Sequence, residues 1–177
     1  MLKFLKVRDV KSPTRGTNTS SGIDFYIPNN LKGEDLKFTP TNAKFIPDGK
    51  VQLQDWEIHI PWGTWVLIPS WLKVVLESWI EPDYETYDLV LIWKSWVSIK
   101  TNLLVWAAVI DNDYRWEFNF HLINPWVNEV VIKLWDKIIQ GIIRKVSLDS
   151  LVEIDTEEFE KESNTERWEW WFWSTWN

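Results

Sequence analysis

Short runs rich in β-branched and aromatic residues recur along this chain, each closed by a turn signal, and none holds a helical period beyond about two turns. They cover Leu2–Val7, Ile23–Ile27, Val51–Leu53, Glu57–Ile60, Trp65–Ile68, Leu72–Leu76, Leu89–Ile92, Glu117–Ile123, Glu129–Leu134 and Lys137–Val146. Phe118-Asn119-Phe120-His121-Leu122 alternates with the period of a half-buried strand. Prolines and Pro47-Asp48-Gly49 fall between the runs. Such a pattern predicts an all-β sandwich or jelly roll.

The 177 residues suit one domain with its own core. With no cysteine, a disulfide framework, a thiolate metal site and a cysteine nucleophile are all excluded. No apolar run reaches the roughly 18 residues of a membrane span, and the start lacks the apolar stretch of a signal peptide. A cytoplasmic protein without a membrane partner is the expectation. A net charge of -7 argues against nucleic acid as a partner, because displacing counterions needs a basic footprint. From Leu151 to Glu166 seven acidic residues face one lysine. The chain therefore divides into a β domain over 1–156, an acidic tether over 157–166 and a C-terminal arm over 167–177.

One count is out of proportion: 16 tryptophans against 6 glycines, in a chain whose many turns need glycine.

Five short segments stand out in order. They are Ser21-Gly22-Ile23-Asp24-Phe25-Tyr26, Trp93-Lys94-Ser95-Trp96-Val97-Ser98, Val105 to Trp116 with Ile110-Asp111-Asn112-Asp113-Tyr114-Arg115 at its heart, Trp135-Asp136-Lys137-Ile138-Ile139-Gln140, and Arg167 to Trp176. Together they resemble the five motifs of the trimeric deoxyuridine triphosphatases, over about Pro13 to Asn177. The third matches the pattern Gly-Val-Ile-Asp-x-Asp-Tyr-Arg-Gly. The last matches Arg-Gly-x-Gly-Gly-Phe-Gly-Ser-Thr-Gly at every position that is not glycine, and has tryptophan at every glycine.

The resemblance implies a distorted jelly-roll β-sandwich of the dUTPase-like fold, a homotrimer with shared active sites, and Mg²⁺-dependent hydrolysis of dUTP to dUMP and pyrophosphate. Asp24 would help place the metal through water, as a hard oxygen ligand. Lys94, Ser95 and the backbone at Trp96 would meet the phosphates, offering a cation, a hydroxyl and an amide. Many members have Arg at Lys94, so the charge is kept and the bidentate fork is not. Ala107, Ala108 and Ile110 would line the hairpin that reads uracil. Asp111 would orient the water that attacks the α-phosphorus, and Tyr114 would stack on the deoxyribose and exclude a 2′-hydroxyl. Asp136 would support the phosphate turn and Gln140 would contact phosphate. Arg167 would grip the γ-phosphate, Phe172 would stack on the base, and Ser174 and Thr175 would donate to phosphates. His59 and His121 read as structural.

Two alternatives share the fold: a dCTP deaminase, and a catalytically inactive nucleotide-binding or regulatory module. The deaminases carry a catalytic Glu where this chain has Arg115. Retention of Asp111, Arg167 and Phe172 together argues against an inactive site.

Trp71, Trp96, Trp116 and Trp135 also stand where the family has glycine. Glycine at all 16 positions would make it about one residue in eight, a reasonable share for a turn-rich β-protein. A bulky residue at φ > 0 costs roughly 1 to 2 kcal/mol, and overpacking adds ~1 to 3 kcal/mol per site. A gene whose UGA codons specify glycine, decoded as tryptophan, accounts for all of these positions at once.

Overall fold

The computed structural model describes residues 1–40, 50–76 and 85–163, so the expected turn at Pro47 to Gly49 lies outside the described residues. The chain divides into two units, Met1–Ser147 and Leu148–Asn177.

The first unit is built of strands β1 (Leu2–Lys6), β2 (Thr14–Arg15), β3 (Ile23–Phe25), β4 (Lys37–Pro40), β5 (Gln52–Gln54), β6 (Glu57–Ile60) and β7 (Thr64–Pro69). There follow β8 (Leu72–Leu76), β9 (Glu85–Trp93), helix α1 (Ser95–Thr101), β10 (Leu104–Val105), β11 (Val109–Ile110), β12 (Asn119–Ile123), β13 (Val130–Lys133) and β14 (Ile139–Ser147). Every described pairing is antiparallel. The sheets run β1-β8, β10-β12-β7-β4, β11-β9-β14-β3-β2 and β13-β6-β5. The all-β expectation holds, and among the described residues no helix is long and apolar enough to cross a membrane.

Alternation places the core. On β12, Phe120 and Leu122 are fully buried while Asn119 faces solvent, and on β7 Thr64, Val66 and Ile68 alternate inward. Phe25, Phe118 and Phe120 meet edge to face at 5.4 and 5.8 Å between ring centroids, worth ~0.5–1.5 kcal/mol per pair beyond the area buried. β14 lies along the whole of β9, from Ile139 opposite Trp93 to Ser147 opposite Glu85. Gly141 is required where it stands: a Cβ there would lie 2.7 Å from both Leu89 Cδ1 and Phe25 Cε2. Asn124, also buried, satisfies its amide by donating to Ile60 O and Asn128 O and accepting from Trp126 N.

Three tryptophans occupy the left-handed backbone region that favours glycine: Trp56 at φ 67°, Trp71 at φ 58° and Trp135 at φ 70°. Asp55 and Trp56 form the two-residue loop between β5 and β6, and both have positive φ, the signature of a type I′ hairpin turn. Asp-Gly is a preferred pair for that turn, and here the sequence prints Asp-Trp. At Trp135, Asp136 N donates to Lys133 O, so the positive φ falls on the third residue of a β-turn, the type II place for glycine. The tryptophans at 56, 62, 96, 106, 116, 126 and 135 are exposed.

In the second unit the acidic stretch forms a short helix, α2 (Thr156–Glu162). The Asp155 side chain accepts from Glu158 N, Glu157 and Glu158 lie in the first turn, and Lys161 lies in the last. That order suits the helix dipole.

Candidate active site

The motif residues gather at two places on the sheet that contains β9. At one end, β3 and β14 set Asp24 opposite Gln140, and β14 sets Ile139 opposite Trp93, the last residue before Lys94. Lys94 N donates to Ile138 O, which ties the second motif to the fourth. Asp24 is only 2% exposed, so its charge demands partners, and it has two. The Lys94 ammonium donates to Oδ1, and Lys137 Nζ stands 3.2 Å from Oδ2 as an ion pair without hydrogen-bond alignment. Lys94 and Lys137 keep 26% and 48% of their side-chain surface, so each ammonium is held from below and open above.

Gln140 donates from Nε2 to Trp93 O at 3.0 Å. Its carboxamide lies across Gly22, where a Cβ would come within 2.1 Å of Oε1. The glycine of the first motif therefore makes room for the glutamine of the fourth. Ser95 and Trp96 are exposed in the first turn of α1, and Lys100 Nζ lies 4.2 Å from the Trp96 ring centroid. The segment read as a turn is thus a helix of seven residues, closed at Asn102 with φ 50°. Asp136 is exposed and lines the same cleft as Lys94 and Lys137.

The third motif lies elsewhere. It was expected as a hairpin, but β10 pairs with β12 and β11 pairs with β9, so its two strands join different sheets. Ala107 at φ 44° makes the crossing, with Trp106 N bonded to His121 O and Leu91 N to Ala108 O. Ile110 is buried and anchors the strand, while Asp111 follows it exposed. Tyr114 is fixed at both ends: its N–H donates to Asp111 O and its hydroxyl to Glu117 O at 3.0 Å. Arg115 donates to Asn112 O, folding the loop onto itself.

Ile110 pairs with Leu89, four residues along β9 from Trp93. At about 3.3 Å per residue, about 20 Å of strand separates Asp111, one residue beyond that pair, from Lys94, one residue beyond Trp93, within one chain. Arg167, Phe172, Ser174 and Thr175 lie outside the described residues.

Sequence reasoning did not single out Lys137, although it lies in the fourth segment between Asp136 and Ile138. His59 bonds to Glu129 Oε1 at 2.9 Å. His121 packs on Trp65, and burial lowers its pKa. The rings of His59 and His121 make these contacts with residues outside the five motif segments. No group of three or more His, Cys, Asp or Glu side chains converges to hold a metal among the described residues, and Asp24 faces two lysines. The described residues do not fit a metal held by the protein alone.

No protein-family model matches the chain, and no curated protein matches it. Solved structures do. A variant of the Staphylococcus bacteriophage 80alpha dUTPase with dUpNHpp superposes with TM-score 0.66 at 17% identity, over 99% of this chain and 98% of that one. A variant dUTPase from phage phi11 of S. aureus, whose structure details the coordination of a structural Mg(II) ion, gives 0.61 at 15% over 90% and 99%. The EIAV dUTPase gives 0.59 at 17% over 88% and 98%. This chain has the fold of the phage and viral dUTPases.

Proposed function

We propose that this chain is a dUTP diphosphatase that hydrolyses dUTP to dUMP and pyrophosphate as a homotrimer. The observation that carries the reading is the division of the motif residues. A cationic phosphate end (Lys94, Ser95, Gln140) and an exposed carboxylate with an anchored tyrosine (Asp111, Tyr114) lie apart along β9, with about 20 Å of strand between Asp111 and Lys94. That separation suits a site assembled where two copies meet, on a fold shared with enzymes one of which was solved with dUpNHpp.

In this reading Lys94, Ser95 and Gln140 bind the triphosphate, and Asp24 and Asp136 hold that end in shape. Asp111 accepts a hydrogen bond from the attacking water and turns its lone pair toward the α-phosphorus. Bonding of Tyr114 to Glu117 O keeps its ring in place against the sugar, where a 2′-hydroxyl would collide. Backbone at Ala107, Ala108 and Ile110 reads the uracil edge. The arm from Arg167 closes over the nucleotide with Phe172 on the base and Ser174 and Thr175 on phosphate, and excludes bulk water. The substrate is the magnesium complex of dUTP, in which the ion offsets phosphate charge.

Turnover of dUTP, dCTP, dTTP and UTP by the chain with glycine at the tryptophan positions tests this. Pyrophosphate release from dUTP alone is expected, and Asp111→Asn should lower kcat ~10²- to 10⁴-fold while nucleotide binding persists. Ammonia release from dCTP without dUTP turnover, or full activity of D111N, would remove the reading.

A further inference from the structure

The open faces of Lys94 and Lys137 do not end at the motif residues. They form one wall of a cleft of about 350 Å³, whose lining also includes Lys100, Lys133, Thr101 and Asp136. The chain as a whole is acidic at -7, yet here four ammonium groups stand against three carboxylates, Asp136 in the lining, Asp24 paired with Lys94 and Lys137, and Glu57 beside Lys133. Such a local excess of cations in a concave site focuses an attractive field on small anions. The volume lies within the range of small-molecule sites.

Lys100 and Lys133 matter most, because neither belongs to a motif residue already assigned. Lys100 projects from α1 one turn beyond the phosphate turn, and its ammonium rests over the Trp96 ring. With glycine at 96 that resting place is gone and the ammonium is free to turn into the cleft. Lys133 also lines the cleft, at the end of β13, its ammonium 3.6 Å from Glu57 Oε1 and its side chain 69% exposed. Lysines on flexible stems bind phosphate oxygens as point charges and need no fixed fork.

We infer that this cleft binds a free polyphosphate of the pyrophosphate class, with Lys100 and Lys133 as its outer contacts, and that it is the path by which the inorganic product leaves the phosphate turn. The binding site stands on the cleft alone; the role in product release rests on the dUTP diphosphatase reading. Lys94 and Lys137 are shared with the substrate end, and the two outer lysines are not.

Inorganic pyrophosphate is the probe, titrated calorimetrically into the glycine-containing chain at fixed ionic strength and compared with Lys100→Gln/Lys133→Gln. The double variant should bind pyrophosphate at least tenfold more weakly, with an unchanged melting temperature, since both side chains are at the surface. In turnover the inhibition constant of pyrophosphate should rise by the same factor while KM for dUTP stays within twofold. Unchanged pyrophosphate binding in the double variant would overturn the site. A parallel rise of KM would overturn its separateness from the substrate end. Tight, lysine-dependent pyrophosphate binding in a chain that never turns over dUTP would leave the site standing and remove the diphosphatase reading instead.

Discussion

Trp71 N donates to Glu117 Oε1 at 2.9 Å, and this single bond holds a left-handed residue ahead of β8 against the segment that anchors Tyr114. Glu117 thus serves two elements, its carboxylate capping residue 71 and its carbonyl accepting from the Tyr114 hydroxyl. Glu117→Ala leaves the buried N–H without a partner and should cost about 1.5 to 3 kcal/mol in urea denaturation. Glu117→Gln keeps an acceptor and should recover more than half. Equal loss in both variants would show that the bond contributes little.

The left-handed tryptophans predict stabilisation by removal. Trp56 and Trp135 are exposed, so their rings gain little from burial, and each backbone is one that glycine adopts without strain. Trp56→Gly and Trp135→Gly should each stabilise the fold by about 1 kcal/mol, the relief of a positive φ less the extra freedom of glycine in the unfolded chain. Destabilisation by both would show that tryptophan belongs there.

Decoding of UGA as glycine makes a prediction for protein isolated from its own cells. Peptides spanning Gln54 to Glu57 and Lys133 to Lys137 should carry glycine at 56 and 135 by mass spectrometry. Codons at these positions should read UGA, and a gene with mostly UGG there refutes the decoding.

Asp24 holds two ammonium groups, so its neutral analogue should act on substrate binding more than on folding. Asp24→Asn should raise KM for dUTP about tenfold, because Lys94 and Lys137 lose their common anchor. Both lysines reach solvent, so the melting temperature should fall only slightly. A large fall in kcat with KM unchanged would assign Asp24 another role.

Asp35 supplies a pH dependence. Burial alone would raise its pKa, but Lys32 N–H and the Arg8 guanidinium, each bonded at 2.9 Å, hold it below the ordinary carboxylate value. A depressed folded pKa contributes stability above the unfolded value near 3.9, and that stability is lost as pH falls through the folded value. Asp35→Asn should therefore lower stability by up to about 1 kcal/mol at pH 7, and the gap to the parent chain should close as pH falls below the ordinary carboxylate range. A gap that persists there would show that the carboxylate charge is not its source.

Much of this was legible in the residues. The alternation at Phe118–Leu122 and the runs at Glu57–Ile60 and Leu72–Leu76 became strands because a period of two commits one face to the core. β2 and β4 were not foreseen, and β10 and β11 were foreseen only as the arms of one hairpin. The pairs at Thr14–Arg15, Leu104–Val105 and Val109–Ile110 are too short to show a period and owe their form to the neighbour that pairs with them. A helix of seven residues such as α1 likewise gives too little pattern to register. The Asp55-Trp56 hairpin turn was hidden for a chemical reason: Asp-Gly would have announced it, and a tryptophan in second place did not. Asp24 and Lys94 lie 70 residues apart, and only the sheet register makes them partners.

Gly141 shows the other way a position can depend on having no side chain. Residues 56 and 135 are constrained by a torsion, and a torsion can be borne at a price of stability, one turn at a time. Between Leu89 and Phe25 the constraint is volume, and both neighbours are themselves fixed in the core. Over mutational time the two kinds of position drift differently. Asparagine or aspartate can enter the turns and persist, whereas even alanine at 141 must push β14 away from β9. A population of functional variants should therefore show diversity at the turns long before any appears at this one residue.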